Sequence, residues 1–389
     1  MSQPVTLTSA PAAPAVPALG TGAPWLFSQR QDVNLLFIPA AVALFCLWMS
    51  TFLGPADHGL SRSIGRWVSQ YLLLNGTHVI LTFLLILVRR DLLHTTPNQK
   101  SLLLGGSAVV FAVTLAAALY TEERMPLANL LMGAGLYVFA AHHTLSQVKG
   151  LWSLHNLRGR SVGAPAPSET ERTLMQKYWV PLALTLMLIR LFFVPLTSER
   201  GDFPLMDVGQ AERGSLPQAT AYVLLAVWLV FAGRLAFTLI STKQSGPKCF
   251  YLLGWASIVS ISLMWPGWGA VLSAGTHGLE YAFLTGRMLA PTQKEPEAKL
   301  GKAAVWPAMI AVMLPLILIG VANSPFVTIV DAATGNAATR FFLRQQPMWS
   351  IGVVVTNSIV LAHYFADAFL YRFRIPKVRE VTLARIGLG

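Results

Sequence analysis

The chain has 389 residues, of which 54% are hydrophobic and only 12% charged, with a mean hydropathy of +0.55. No soluble domain of this length needs so much apolar side chain to fill its core, so the solvent for most of the chain is expected to be lipid. A net charge of +12 would suit a nucleic-acid binder, but the basic residues fall mainly in short stretches between apolar runs, where they act as topology signals and exclude nucleic acid as a partner.

Residues 1–24 are rich in Ala, Pro, Thr and Ser, with neither a basic start nor an apolar core. They read as a disordered cytoplasmic tail and not as a signal peptide. From 25 to 375, apolar runs of the length a helix needs to cross hydrocarbon recur near 33–54, 68–88, 101–120, 127–148, 178–197, 219–240, 249–267, 271–290, 303–322 and 348–371. The expected fold is therefore all-α, a polytopic membrane helix bundle of about ten transmembrane helices. The seventh and eighth are expected to be divided by a turn at Trp265-Pro266-Gly267-Trp268-Gly269, because Pro and Gly break helices. Gly150–Arg158 reads as a short amphipathic piece at the inner surface, and residues 376–389 as a basic cytoplasmic tail. Cys46 and Cys249 lie in separate apolar runs and have no metal-ligand or redox spacing.

Orientation follows from the basic residues. With both termini in the cytoplasm, the outer side carries Arg62, Arg66, Arg124, Arg200, Arg213, Arg340 and Arg344, and nearly all the rest of the 29 Lys and Arg fall on the inner side. The positive-inside rule favours this arrangement and an integral membrane protein, in the inner membrane if the source is bacterial.

Titratable groups inside hydrocarbon are costly, so each is a functional candidate. They are concentrated here. The second run carries Asn75-Gly76-Thr77-His78, the fourth His142-His143 with Gln147, the eighth His277 with Glu280 and Tyr281, and the tenth His363-Tyr364 with Asp367. All four runs go from outside to inside. Counting to the next basic residue places their histidines roughly 9–17 Å above the inner boundary at the helical rise, so four helices can deliver imidazoles to one layer. His143/Gln147 and His363/Asp367 are four apart and His277/Glu280 three apart, which puts each pair on one helix face.

Helical bundles present metal ligands in this way. The expected ligands are His78, His142, His143, His277, Glu280 and His363, with Asp367, Gln147 or Asn75 fixing a tautomer from outside the metal shell. Imidazole and carboxylate suit iron, zinc or copper better than magnesium or calcium. Glu280 and Asp367 are the candidates for handling a proton. Arg190 and Arg234 also lie within runs, so each is expected to meet an acidic side chain such as Glu280 or Asp367, or an anionic group of a ligand. With Gln147 and Tyr281 they are the candidate substrate contacts. A single intramembrane histidine is often only a hydrogen-bonded bridge between helices, but several at one depth favour a shared centre. His58, His94 and His155 read as solvated or interfacial.

Three functions fit this pattern. The first is a membrane metalloenzyme, a non-haem iron oxygenase, hydroxylase or desaturase, mono- or dinuclear, acting on a lipid-like or small apolar substrate with a reductase as candidate partner. The second is an electron-transfer protein binding haem b through two histidines, with Arg234 on a propionate. The third is a proton- or metal-coupled transporter. Over short stretches, chiefly Asn75-Gly76-Thr77-His78 and the histidine-bearing ends of the fourth, eighth and tenth runs, the chain resembles the histidine-ligated membrane iron enzymes. These are the desaturase and hydroxylase group and the carotene-cleaving dioxygenases of the Brp/Blh type. The resemblance implies a helical membrane fold and iron held by histidines.

Overall fold

The chain is helical wherever the computed structural model describes it, over residues 25–52, 75–88, 99–124, 126–195, 215–289, 346–370 and 376–385, apart from short connections, and no strand occurs among those residues. In chain order the helices are α1 (Gln29–Phe52), α2 (Asn75–Val88), α3 (Gln99–Arg124), α4 (Pro126–Ser161), α5 (Glu169–Thr173), α6 (Trp179–Phe193), α7 (Thr220–Ser241), α8 (Gly246–Met264), α9 (Pro266–Leu289), α10 (Gln346–Leu370) and α11 (Pro376–Arg385). A π-helical turn, Leu174–Tyr178, joins α5 to α6. The described residues of every expected apolar run are mainly helical, except that 303–322 lies wholly outside the described residues, as do residues 1–24.

α7 and α8 are each long and apolar enough to cross a membrane. In α7 the buried residues Leu224, Trp228, Phe231, Leu235 and Leu239 recur at steps of three and four and so share one face. Val223, Val227, Val230, Phe237 and Ile240 are exposed on the other side. Trp228 stacks on Phe231 and meets Trp179 of α6 edge-on, with ring centroids 5.1 and 5.5 Å away. Its indole N–H donates to the Ala256 carbonyl of α8 at 2.9 Å, so its polar atom is not stranded in the core.

Two local departures from the sequence reading matter for the site. α4 runs unbroken for 36 residues, about 54 Å at the helical rise, so Gly150–Arg158 is its last stretch and not a separate surface piece. Leu151, Trp152, Leu154, His155 and Asn156 are buried there, because α8 packs along this end of α4 and Trp152 reaches Glu171 of α5. Between α8 and α9 only Trp265 leaves the helix; Pro266 starts α9, a first-turn position where its missing N–H costs nothing. Gly269 lies against Ser262, and a Cβ there would collide with that residue's backbone.

The basic C-terminal stretch is also not wholly a tail. Pro376–Arg385 forms α11, with Thr382 and Leu383 buried, and it touches α9. At the other end, Asp32 organises the approach to α1 by accepting the backbone N–H groups of Leu26 and Phe27 at 2.7 and 3.0 Å. Arg158 Nε donates to the Trp25 carbonyl at 3.1 Å and ties this approach to α4.

Around the histidines, α10 lies mainly along α3 and also touches α2 and α4, while α9 packs on α2, α8 and α1. Gly106 of α3 sits under the Phe365 ring of α10, and a Cβ there would overlap the ring. This close approach is what a glycine in a packed helix permits.

Candidate metal centre

α4, α9 and α10 bring His143, His277, His363 and Asp367 together, although the residues come from distant parts of the sequence. His143, His363 and Asp367 each offer one ligand atom, and these atoms lie within 4.8 Å of one another. Asp367 Oδ2 is 3.7 Å from His143 Nε2 and 3.6 Å from His363 Nε2. The His277 ring meets the His143 ring edge-on, with centroids 5.2 Å apart, and His363 meets His143 at 5.6 Å. His277, His363 and Asp367 are buried and His143 is partly so.

The carboxylate is held from two further helices. Thr82 of α2 donates to Asp367 Oδ1 at 3.0 Å, and Gln147 of α4 donates to Oδ2 at 3.3 Å. Gln147 Nε2 also lies 2.8 Å from His143 Nε2. Its buried Oε1 has no hydrogen-bond partner among the described residues, leaving acceptor capacity in the site. Tyr364 lies over His143 at 4.4 Å and Tyr281 beside His277 at 5.2 Å, walling the imidazoles with aromatic rings. Two imidazoles facing one carboxylate, with outer hydrogen bonds setting that carboxylate's orientation, form a donor set suited to a divalent transition metal.

Several expected members stand elsewhere. His142 is exposed, as the residue beside an inward-facing His143 must be, since neighbours on a helix are turned about 100° apart. Glu280 does not join the group. Its Oε1 accepts the Trp255 indole N–H at 2.7 Å and its Oε2 the Tyr251 hydroxyl at 3.4 Å, both from α8. His78 lies in α2, one turn before Thr82, and its side chain and that of Asn75 are outside the described residues.

Arg190 is buried and donates to the carbonyls of Leu263, Val194, Pro195 and Met264 at 2.8–3.4 Å. It thus clasps the C-terminal ends of α6 and α8, where carbonyls lack partners and a cation is favoured. Arg234 is exposed on the outward face of α7, turned away from the histidines.

A second buried polar cluster was not expected. Lys248, read as an inner-side topology residue, is buried in the first turn of α8. Its ammonium donates to Asn156 Oδ1 at 2.9 Å, Glu171 Oε1 at 2.8 Å and Gln244 Oε1, and Trp152 Nε1 donates to the same Glu171 oxygen at 2.7 Å. His155, read as solvated, is also buried and lies against the Tyr251 ring at 4.9 Å. Burial, with the Lys248 ammonium nearby, pushes its imidazole down to about 3, so it is neutral at physiological pH.

Thr82 was missed as well; its only sequence signal is its place four residues after His78. No protein-family profile, curated protein or solved structure matches this chain.

Proposed function

We propose that this is an integral membrane protein of about ten transmembrane helices that holds iron on His143, His363 and Asp367, with His277 beside them. In this reading it acts as a non-haem iron oxygenase, hydroxylase or desaturase on a lipid-like or small apolar substrate. The observation that carries the proposal is the grouping of two imidazoles and one carboxylate within 4.8 Å. That donor set leaves coordination positions open for oxygen or substrate in non-haem iron enzymes. Zinc and copper accept similar donors, and the metal is named by the chemistry that two histidines and an aspartate most often support.

The exposed surface of the chain favours an apolar substrate. The outward face of α7 is apolar apart from Arg234, which suits contact with acyl chains, and a centre within such a bundle is reached from the leaflet by molecules that dissolve there. Asp367, hydrogen-bonded by Thr82 and Gln147, keeps one carboxylate oxygen aimed at both imidazoles. Tyr364, Tyr281 and the neighbouring histidines restrict water near the metal.

Haem fits less well. Two axial imidazoles must stand on opposite faces of a macrocycle, whereas these rings touch edge-on around one carboxylate, and Arg234 is not placed to meet a propionate.

Metal analysis of detergent-purified full-length protein tests the proposal, with His143→Ala, His363→Ala and Asp367→Asn alongside. Stoichiometric iron in the parent protein is expected to fall to background in all three variants while their helical circular dichroism is retained. Oxygen-dependent conversion of an apolar lipid is expected only in the iron-loaded parent. Metal-free parent protein, or variants that keep the parent's iron, would remove the basis for the reading.

A further inference from the structure

Gln244, Lys248, Tyr251 and Trp255 follow one another along the chain at steps of four, three and four. Gln244 precedes α8, and the spacing of the other three places them on a single face at the start and middle of that helix. All four are buried, so an otherwise apolar helix turns a hydrogen-bonding stripe inward. The stripe starts at the inner end, in the Lys248 cluster. Two turns further on it reaches Glu280, whose carboxylate accepts from both Tyr251 and Trp255. His155 of α4 lies against Tyr251 on the inner side, and its buried Nδ1 has no hydrogen-bond partner among the described residues. Glu280 stands one turn of α9 beyond His277, whose ring touches that of His143.

Buried polar groups are retained in a core only where they are satisfied or used. Glu280 of α9, met by this stripe, is three residues from His277 and so on the same side of that helix. It is not among the metal-ligating group, and it is linked to the inner surface through a hydroxyl that can both give and take a proton. We infer that Tyr251 and Glu280 carry protons from the inner side of the membrane to the histidine centre, with His155 at the entry. The inference rests on the iron reading above.

The chemistry requires such a path. When one oxygen atom of dioxygen is inserted into a C–H bond and the other leaves as water, two electrons from a reductant and two protons are consumed. His277, His363 and Asp367 are buried and His143 is partly so, which limits the access of bulk water to the centre. In each delivery, Tyr251 gives its hydroxyl proton to a Glu280 oxygen and regains one from the His155 side. Glu280 then releases its proton toward the centre and returns to the carboxylate.

Iron oxidation by oxygen offers a test that needs no known substrate. Four ferrous ions reduce one dioxygen to two waters and take up four protons. Full-length iron-loaded protein would be reduced, freed of reductant and mixed with oxygenated buffer containing a pH dye, while ferrous loss and proton uptake are followed together. Glu280→Gln and Tyr251→Phe are expected to keep the parent's iron content and to slow proton uptake and iron oxidation by roughly 100-fold, the scale of a lost proton-transfer group. Glu280→Asp is expected to recover much of the rate. Added formate is expected to speed Glu280→Gln but not the parent, a rescue that a merely structural carboxylate would not show.

Parent-like proton uptake in both Glu280→Gln and Tyr251→Phe, with iron retained, would overturn the inference and leave the metal centre standing. Absence of iron from the parent would instead overturn the metal reading.

Discussion

Two buried polar clusters share helix α4 at different levels along it, and they are built in opposite ways. At the start of α8, the three donors of Lys248 meet oxygens of Asn156, Glu171 and Gln244. Cation and carboxylate neutralise each other through Glu171 Oε1, while Glu171 Oε2 has no hydrogen-bond partner among the described residues. Higher up, His143, His363 and Asp367 present ligand atoms to one another with no lysine or arginine in the group. A cluster that carries its own cation serves to join α4, α5 and α8. A cluster of nitrogens and a carboxylate without one is arranged to receive a cation, and that contrast is the basis for assigning structure to the first and chemistry to the second.

The contrast is broken most severely at Lys248. Lys248→Met leaves the Glu171 carboxylate buried without its cation and is expected to cost about 3–5 kcal/mol, read as a lowered unfolding midpoint in detergent. Lys248→Met with Glu171→Leu removes both charges and is expected to regain most of that loss. If the single and double variants were equally unstable, the pair would not be the element that joins these helices.

The metal cluster is probed more gently from its outer hydrogen bonds. Thr82→Val removes the hydroxyl that holds Asp367 Oδ1 and is expected to weaken metal affinity about 10–100-fold. Global stability should change far less than for Lys248→Met. Competition with a chelator measures the first quantity and thermal unfolding the second.

His155 lies beside the Lys248 cluster and gives a pH dependence. Its folded-state value is lowered to about 3, below the ordinary value near 6.5, so between these limits the unfolded chain binds a proton that the folded chain does not. The stability that follows from the neutral buried ring is complete above pH 6.5 and is lost as pH falls toward 3. Between pH 6.5 and 5 the loss is expected to be about 2 kcal/mol, and His155→Phe should abolish that part of the slope. Equal slopes in the two proteins would show that His155 protonates freely in the fold.

The smallest effect is expected outside both clusters. Arg234→Leu, on the exposed face of α7, should alter stability by no more than about 0.5 kcal/mol and leave metal content unchanged. A loss of metal in this variant would mean that Arg234 reaches the centre after all.

The helical character of the chain and the polar residues within its apolar runs were legible in the sequence for the same reason, although Asp367, which stands with His143 and His363, was read as lying outside the ligand group. Apolar runs and rare polar residues within them are strong signals against a hydrophobic background, and the i,i+4 spacing of His363 and Asp367 already placed both on one face. Which neighbour turns inward was not legible. His142 and His143 differ by one helical step, and only the packing of α4 against α9 and α10 selects His143.

Long polar side chains were misread because sequence position does not show burial. Lys248 and His155 lie at the ends of apolar runs, where solvation is the ordinary expectation, yet α4 extends past that level and covers them. Arg190 donates to backbone carbonyls at helix ends, acceptors that carry no sequence signature.

X-ray absorption at the metal edge of purified full-length protein tests the central assignment most directly. The account predicts nitrogen and oxygen donors at about 2.0–2.2 Å, with outer-shell scattering from at least two imidazoles that diminishes when His363 is replaced by alanine. A spectrum without imidazole scattering, or one unchanged by that substitution, would contradict it.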